Sequence, residues 1–419
     1  MTTMSTSSLR TSALERFLRY VTYDTQSDPG SPTTPSTAKQ LVLLDVLVDE
    51  LHALGIADAV RDDRGIVTAT VPSTSKKPVV PVVGFVAHVD TSPEVSGKGV
   101  KPIVHKYTGG DIVLPDDASA VLRPAEIPEL VGKAGEEIVT ASGTTLLGAD
   151  DKSGVAVAMA VAEHLMNHPE IPHGAVRLAF TPDEEIGMGV HHFDVARFGA
   201  FCAYTLDGDS VGRLNVETFS ADAMTVTFQG FNTHPGLATG SMVNSIKVAA
   251  DFIHRLPKDG LAPETTAERD GFVHPNDVVA TVDRTEVKFI VRDFRTAGLA
   301  EKEAFLEKLA RETVAAWPGS SFSVHVHEQY RNMREVLDRY PQVVENAREA
   351  IRRAGLAPVE VPIRGGTDGS ILSAMGLPTP NLFTGQHNFH SRLEWISAQD
   401  MEKSAAAVLE LIKVWEEKA

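Results

Sequence analysis

Four apolar runs in this sequence end in acidic residues or in a histidine–acid pair, and this repeated pattern limits the folds that the chain can adopt. The endings are Ala87-His88-Val89-Asp90, Gly148-Ala149-Asp150-Asp151, Pro182-Asp183-Glu184-Glu185 and Leu206-Asp207-Gly208-Asp209. Runs this apolar are typical of strands buried on both faces, which favours an α/β sheet with helices on each side. Open sheets of this kind gather ligand sites at the carboxyl ends of their strands, so we expect the endings to meet in one pocket.

The periodicity of the apolar residues predicts two domains. A chain of 419 residues exceeds the roughly 250 to 300 residues at which a single core stops growing. Helices and strands alternate up to about residue 220 and again after about residue 330, which predicts a mixed α/β sheet flanked by helices in a discontinuous domain of residues 1–220 and 330–419. The intervening residues 221–329 predict a smaller inserted α+β domain, with a long loop between a helix ending at Leu256 and a strand starting at Glu286.

The charge balance and the cysteine content restrict the partners and the compartment. Lys and Arg total 39 against 56 Asp and Glu, and a formal net charge of -17 repels nucleic acids and anionic membrane surfaces. Cys202 is the only cysteine, which excludes a disulfide within the chain and fits a reducing compartment. The N-terminal stretch reads as an amphipathic helix and not as a secretory signal. We therefore expect a cytoplasmic protein with no nucleic-acid and no membrane partner.

Each acidic ending has an ordinary explanation when it is taken alone. His88 and Asp90 could form a surface ion pair, and Asp150 and Asp151 could cap the helix that follows them. Three consecutive acids at 183–185 could lie in a solvated loop. Together, however, the endings supply histidine and carboxylate ligands that suit two Zn²⁺ ions sharing one acid, the arrangement of hydrolytic two-metal sites. A histidine-rich turn at residues 385–394 adds further candidate ligands.

Eight sequence motifs, in order and with matching spacing, resemble the tripeptide-cleaving branch of the M20 metallopeptidase family. They are FVAHVDTSPE, LLGADDKSG, TPDEEIGMG, TLDGD, THPG, VRDFR, PIRGGTDGS and GLPTPNLFTGQHNFH, and they span nearly the whole chain. The resemblance implies a catalytic domain with an inserted lid and two Zn²⁺ per chain. It also implies an aminopeptidase activity on short peptides, in particular tripeptides. It also implies a homodimer.

The resemblance implies a role for each residue of the acidic endings. The metal ligands would be His88, Asp150, Glu185, Asp207 and His390. Asp150 would bridge the two ions, with His88 and Asp207 completing one site and Glu185 and His390 the other. Asp90 would orient His88, and Glu184 would act as the general base that activates the attacking water.

Substrate contacts are expected from five other residues. The resemblance implies that His234, in the inserted domain, reaches the active cleft and stabilises the oxyanion, although a helix-start or core histidine is the alternative. The planar guanidinium of arginine suits carboxylates, so Arg292 and Arg364 are candidates for holding the terminal carboxylate of a peptide. A surface salt bridge explains Arg292 nearly as well. Asn244 and Asn388 are further candidates for substrate contact.

Three positions depart from the family pattern. Asp209 replaces a glycine, Thr239 stands where lysine is common, and Ser391-Arg392-Leu393 replaces Gly-Lys-His. None of these is a predicted ligand, so they bear on substrate preference more than on catalysis. Two alternatives to a tripeptide aminopeptidase stay open: another M20 hydrolase, such as a carboxypeptidase, dipeptidase or deacylase, and a non-catalytic metal-binding protein that has kept the fold.

Overall fold

A computed structural model describes residues 6–419 of the chain. Its helices follow the runs whose apolar residues recur at helical spacing. Within the described residues the α-helices are α1 (Thr6–Tyr20), α2 (Gln40–Ala53), α3 (Ala149–Asn167), α4 (Val195–Phe198), α5 (Ser245–His254), α6 (Thr296–Ala316), α7 (Arg334–Leu337), α8 (Pro341–Arg353), α9 (Asp368–Ala374) and α10 (Ala398–Glu417). In this part of the chain, helices that combine the length and the apolar character needed to cross a membrane are absent.

The strands form a mixed sheet and several smaller antiparallel sheets. Over residues 6–419 they are β1 (Val60–Arg61), β2 (Val67–Val71), β3 (Val83–His88), β4 (Ile103–Lys106), β5 (Ile112–Val113), β6 (Val121–Leu122), β7 (Glu137–Thr140), β8 (Val176–Thr181), β9 (Cys202–Gly208), β10 (Arg213–Asn215), β11 (Ser220–Gln229), β12 (Phe272–Ala280), β13 (Arg284–Asp293), β14 (Ser321–Tyr330), β15 (Val359–Glu360), β16 (Asn381–Phe383), β17 (Gln386–His387) and β18 (Trp395–Ser397).

The chain divides into two compact units. The first comprises the chain up to Val216, Val336–Val361 and Thr367–Ala419, and the second comprises Glu217–Glu335 and Pro362–Gly366. These limits lie a few residues from the predicted domains of 1–220, 330–419 and 221–329. The return of Pro362–Gly366 to the second unit was not predicted, because a five-residue segment carries no periodicity of its own.

The first unit is built on the mixed sheet, whose strand order is β1-β2-β8-β3-β9-β16-β10-β15. Neighbouring strands β8, β3, β9 and β16 run parallel. All six residues of β3 are buried, as expected for a central strand covered on both faces. One face packs against α3, beside which α1 and α10 lie, and the other against a cluster that includes Phe193, Phe198 and Leu372. The predicted α/β class is confirmed.

The second unit is an antiparallel sheet of order β12-β13-β11-β14 with α5 and α6 packed on one face. Its core includes Val226, Phe228, Phe252 and Phe289. The predicted loop after Leu256 was wrong in part, because β12 lies within it. This strand escaped prediction since it is an edge strand, its second half is exposed, and a bulge near a proline interrupts its pairing with β13.

Candidate metal centre

Three parallel strands place predicted ligands at one edge of the mixed sheet. β3 ends at His88, β9 carries Asp207, and β8 ends just before the turn that carries Glu184 and Glu185. His88 pairs with Thr181 in the register of β3 and β8, so these strand ends are level. This alignment brings the predicted side chains together at one edge of the sheet.

Asp150 reaches the same place by a different route. The sequence predicted a strand before Asp150. Instead, the apolar run leads into the start of α3 without joining the mixed sheet. Asp150 and Asp151 both have non-helical backbone angles, so the regular helix begins after them. The carboxylate of Asp150 is buried beside His88 rather than acting as a helix cap.

The two oxygens of Asp150 face two different imidazoles. Its Oδ1 lies 3.1 Å from Nε2 of His88, and its Oδ2 lies 3.3 Å from Nε2 of His390. Each imidazole has a further acid nearby, because His88 Nε2 lies 3.8 Å from Asp207 Oδ1 and His390 Nε2 lies 2.8 Å from Glu185 Oε2. The five side chains therefore form two imidazole–acid pairs on either side of one shared carboxylate.

Asp90 links an imidazole to the acidic turn. Its Oδ1 lies 3.3 Å from Nδ1 of His88, on the side of the ring away from Asp150. The same carboxylate accepts the backbone N–H of Glu184 at 3.0 Å and of Glu185 at 3.2 Å. Asp90 is fully buried. It therefore fixes the ring of His88 and the turn that carries the two glutamates at once.

Asp183 holds that turn from the other side, which the sequence did not predict. The residue adopts a left-handed backbone conformation with a φ of 59°. Its carboxylate accepts the N–H of Ser36 at 2.6 Å and the side-chain amide of Gln40 at 2.6 Å, and its own N–H donates to Gln40 at 3.1 Å. A buried acid with these partners was not recognisable, because they lie far away in the sequence.

Asp151 lies outside the predicted ligand set but close to it. It is fully buried, and it accepts the N–H of His88 and the N–H of Gly154, each at 3.2 Å. A carboxylate oxygen of Asp151 also lies within 4.8 Å of ligand atoms of His88 and Asp207. Asp151 thus lines the site while its oxygens hold the backbone of β3 and α3.

Burial and mutual repulsion set the protonation of the acids. Burial raises the pKa of Glu184 and of Asp207 well above the usual range, and it raises that of Glu185 to about 7 together with the charge of Asp150. Burial lowers the pKa of His390, but hydrogen bonds to Asp150 and Glu185 outweigh this and raise it to about 11. The site therefore contains more carboxyl groups than its two imidazoles could balance if all of them were ionised.

The donor set fits divalent cations. The Oε1 atom of Glu185 is buried and has no hydrogen-bond partner within residues 6–419. A buried acceptor without a protein donor is unusual and is available to a metal ion. Imidazole nitrogens and carboxylate oxygens are ligands that zinc and similar ions take, and a cation would offset the repulsion among the acids. Because Asp150 directs one oxygen towards each imidazole, it could serve as a ligand shared by two ions.

Arg364 belongs to the second unit, where its guanidinium is already engaged. It donates to the carbonyl oxygens of Glu268 and Asp270 at 3.0 and 2.9 Å and to the hydroxyl of Thr266 at 3.0 Å. Its Cζ lies 5.1 Å from the centre of the Phe219 ring. These contacts give Arg364 a structural role, and its predicted contact with substrate stays a prediction.

Two other predicted substrate residues also have structural partners. Arg292 donates to the carbonyl oxygens of Val291 and Asp222 at 3.0 and 3.3 Å. Asn244 caps α5 by accepting the N–H of Ile246 at 2.9 Å. Neither arrangement tests whether the residue also binds substrate.

His234 is exposed, and its Nδ1 accepts the N–H of Gly236 at 3.2 Å. A neutral ring that accepts through Nδ1 carries its proton on Nε2 and can donate from there. Asn388, in the first unit, has a positive φ of 52° and accepts a hydrogen bond from Ser391 through its carbonyl oxygen. The roles of His234 and Asn388 in substrate binding stay predictions.

Two departures from the family pattern form ion pairs within the first unit. Asp209 pairs with Arg213, four residues later, and Arg392 lies 2.7 Å from Asp117. The charges of Asp209 and Arg392 are therefore each balanced by a side chain of the same unit.

Comparison with known proteins gives a consistent result over the full length. The profile of the family described as Peptidase family M20/M25/M40 matches residues 145–414. The chain is similar to Peptidase T of Geobacillus kaustophilus, with 47% identity over 98% of this chain and 100% of that protein. It is also similar to Peptidase T of Desulfitobacterium hafniense, with 47% identity over 97% of this chain and 98% of that protein.

Solved structures support the fold. An aminopeptidase PepT from Bacillus cereus superposes with a TM-score of 0.74 at 23% identity, covering 97% of this chain and 98% of that one. A dinuclear metal-binding peptidase of the M20 family from Bacillus subtilis superposes with a TM-score of 0.67 at 14% identity, covering 99% of this chain and 100% of that one.

Proposed function

The chain belongs to peptidase family M20/M25/M40, and from that premise we propose that it is a metal-dependent aminopeptidase that releases the N-terminal residue from tripeptides. The full-length identity to proteins named Peptidase T supports the substrate class. The observation that carries the chemistry is the position of Asp150, whose two oxygens face two imidazoles that each have a further acid beside them.

The proposed cofactor is a pair of Zn²⁺ ions. His88, Asp150 and Asp207 would hold one ion, and Asp150, Glu185 and His390 would hold the other. When bound, the two ions polarise the scissile carbonyl and lower the pKa of the attacking water. The orphaned oxygen of Glu185 and the excess of buried carboxylates support this assignment.

Glu184 is the proposed general base. Its Oε2 lies 4.0 Å from His88 Nε2, and its backbone is held by Asp90. Glu184 would accept a proton from the attacking water and pass it to the leaving amine. Burial raises its pKa, and the nearby charge of His88 opposes that rise, as would any further cation in the site.

The remaining proposals concern the surroundings of the site. The second unit would act as the lid, with His234 as the oxyanion donor, and the substrates would be short peptides. A cytoplasmic location is proposed because buried Cys202, the only cysteine, needs no oxidising compartment. The homodimer stays a prediction.

The experiment that tests the proposal compares free tripeptides with the same peptides carrying a blocked N-terminus or an amidated C-terminus. The enzyme is stripped with a chelator and reloaded with Zn²⁺, and released amino acids are identified by chromatography. An aminopeptidase releases the first residue of the free peptide and fails on the N-blocked one. Cleavage of N-acylated substrates would support another M20 hydrolase instead. Absence of turnover by the reloaded protein on every substrate would support the non-catalytic alternative.

A further inference from the structure

A buried glutamate outside the predicted ligand set binds the segment that carries Asp150. Glu394 is 1% exposed. Its Oε2 accepts the backbone N–H groups of Leu147 and Gly148, both at 2.7 Å, and its Oε1 accepts the N–H of Asp150 at 3.0 Å. Both carboxylate oxygens are therefore used on one short stretch of backbone.

These three hydrogen bonds matter because the stretch has little regular structure of its own. Gly148 has a φ of 82°, and Asp150 is not helical although it is the second residue of α3. Buried backbone N–H groups need acceptors, and here a side chain from elsewhere in the chain supplies them. The conformation that presents Asp150 to both imidazoles thus depends on Glu394.

Glu394 also belongs to the turn that carries His390. It follows His390 by four residues and directly precedes β18, which pairs with β7 through Trp395 and Thr140. β18 fixes the backbone of Glu394, and the three hydrogen bonds fix its carboxylate. A single side chain therefore connects the segment of Asp150 to the segment of His390, whose Nε2 lies 3.3 Å from Asp150 Oδ2.

We propose that Glu394 is a positioning residue that sets the separation of Asp150 and His390, and thereby the affinity for the metal ion between them. The inference rests on the proposed two-metal function. The other ion would share Asp150 but depends less on Glu394, because its further ligands His88 and Asp207 lie on β3 and β9. His88 is also held separately by Asp90 and by the contact of its N–H with Asp151. Changes in residues that orient metal ligands weaken metal binding by about 10- to 100-fold.

The test is stepwise Co²⁺ binding to chelator-stripped protein, followed by visible absorption and calorimetry. In the wild type we expect two Co²⁺ ions, and His390→Ala identifies the step that belongs to the His390 ion. In Glu394→Gln, which keeps the size of the side chain but directs an amide at backbone donors, we expect that step to weaken at least tenfold. The other step should change less than threefold. Glu416→Gln is the control. Glu416 is a buried carboxylate that accepts a hydrogen bond from the hydroxyl of Ser75, in a segment without predicted ligands.

Other outcomes overturn the inference in distinguishable ways. Two wild-type-like Co²⁺ affinities in a folded Glu394→Gln variant would refute the role of Glu394 and leave the metal centre intact. Equal weakening of both steps would indicate general loosening and would also refute it. Failure of the wild type to bind Co²⁺ would refute the metal centre and this inference with it. If Glu394→Gln does not fold, Glu394→Asp, with a shorter reach and the same charge, is judged by the same criteria.

Discussion

The Nε2 atom of His390 lies 2.8 Å from Oε2 of Glu185, so an imidazole and a carboxylate proposed to share one metal ion interact directly. The pKa of each is raised, that of Glu185 to about 7 and that of His390 to about 11. A group whose pKa is higher in the folded than in the unfolded chain stabilises the fold below its unfolded pKa and loses that effect as the pH rises through the folded value.

The metal-free protein should therefore lose stability as the pH rises. Glu185 contributes to the loss between its ordinary pKa of 4.5 and about 7, and His390 between its ordinary pKa of 6.5 and about 11. Melting temperatures of chelated protein across this range check the prediction. His390→Ala should flatten the alkaline part of the curve, and an equally steep decline in that variant would refute the assignment to His390.

Replacing Glu184 should separate catalysis from metal binding. Glu184→Gln removes the proposed base but none of the proposed ligands, so we expect turnover to fall by about 100- to 10,000-fold while metal content is unchanged. Glu185→Gln, one residue away, should instead lower metal content. Peptide hydrolysis measured beside metal analysis checks both variants. Near-normal turnover in Glu184→Gln would show that another group accepts the proton.

The network of Asp183 with Ser36 and Gln40 should support both stability and catalysis. Gln40 is fully buried and exchanges two hydrogen bonds with Asp183, so Gln40→Ala leaves buried polar groups unpaired. We expect the free energy of unfolding to fall by about 1 to 3 kcal/mol, with a lower kcat because the Glu184–Glu185 turn loosens. Urea unfolding and steady-state kinetics check this.

The matched control is Gln399→Ala, which removes the acceptor of the Glu137 backbone N–H and of the Ser397 hydroxyl in a segment without predicted ligands. That variant should keep the wild-type kcat. A normal kcat in Gln40→Ala would mean that Asp90 and the remaining contact of Asp183 with Ser36 are enough to hold the turn.

The sequence indicated which side chains meet at the edge of the sheet better than it indicated which contacts hold them there. His88 and Asp207 could be placed from strand periodicity, because a parallel sheet brings strand ends together whatever the details of packing. The contacts of Glu394 with Asp150 and of Asp183 with Gln40 could not be predicted. Each joins a side chain to segments far away in the sequence, and no local pattern encodes such a pairing.

The fold shows the same division. Fully buried β3 has a continuous apolar run and was predicted, whereas β12 was not. The exposed half of β12 and Pro275 remove the apolar signal and the regular pairing on which strand prediction depends. Domain limits were approximate because Pro362–Gly366 joins the second unit through tertiary contacts alone.

His234 should matter for kcat if it stabilises the oxyanion. Loss of one oxyanion donor costs about 100- to 1,000-fold in kcat, and we expect that fall in His234→Ala with unchanged metal content and melting temperature. His325→Ala, which removes another exposed imidazole of the second unit, is the control. Kinetics on a tripeptide substrate check the prediction, and a kcat within twofold of the wild type would remove His234 from the mechanism.

Arg364 offers a choice between a structural and a substrate-binding role, and the structure favours the first. Its guanidinium donates hydrogen bonds to the carbonyl oxygens of residues 268 and 270. Arg364→Ala removes these bonds and should lower the free energy of unfolding by about 1 to 3 kcal/mol. Arg255→Ala, which breaks an exposed ion pair with Asp251 in the same unit, should cost less than about 1 kcal/mol. Chemical unfolding measures both. Unchanged stability with a strongly raised KM for peptides with a free C-terminus would instead assign Arg364 to the substrate carboxylate, because the lost interaction would then be one of binding.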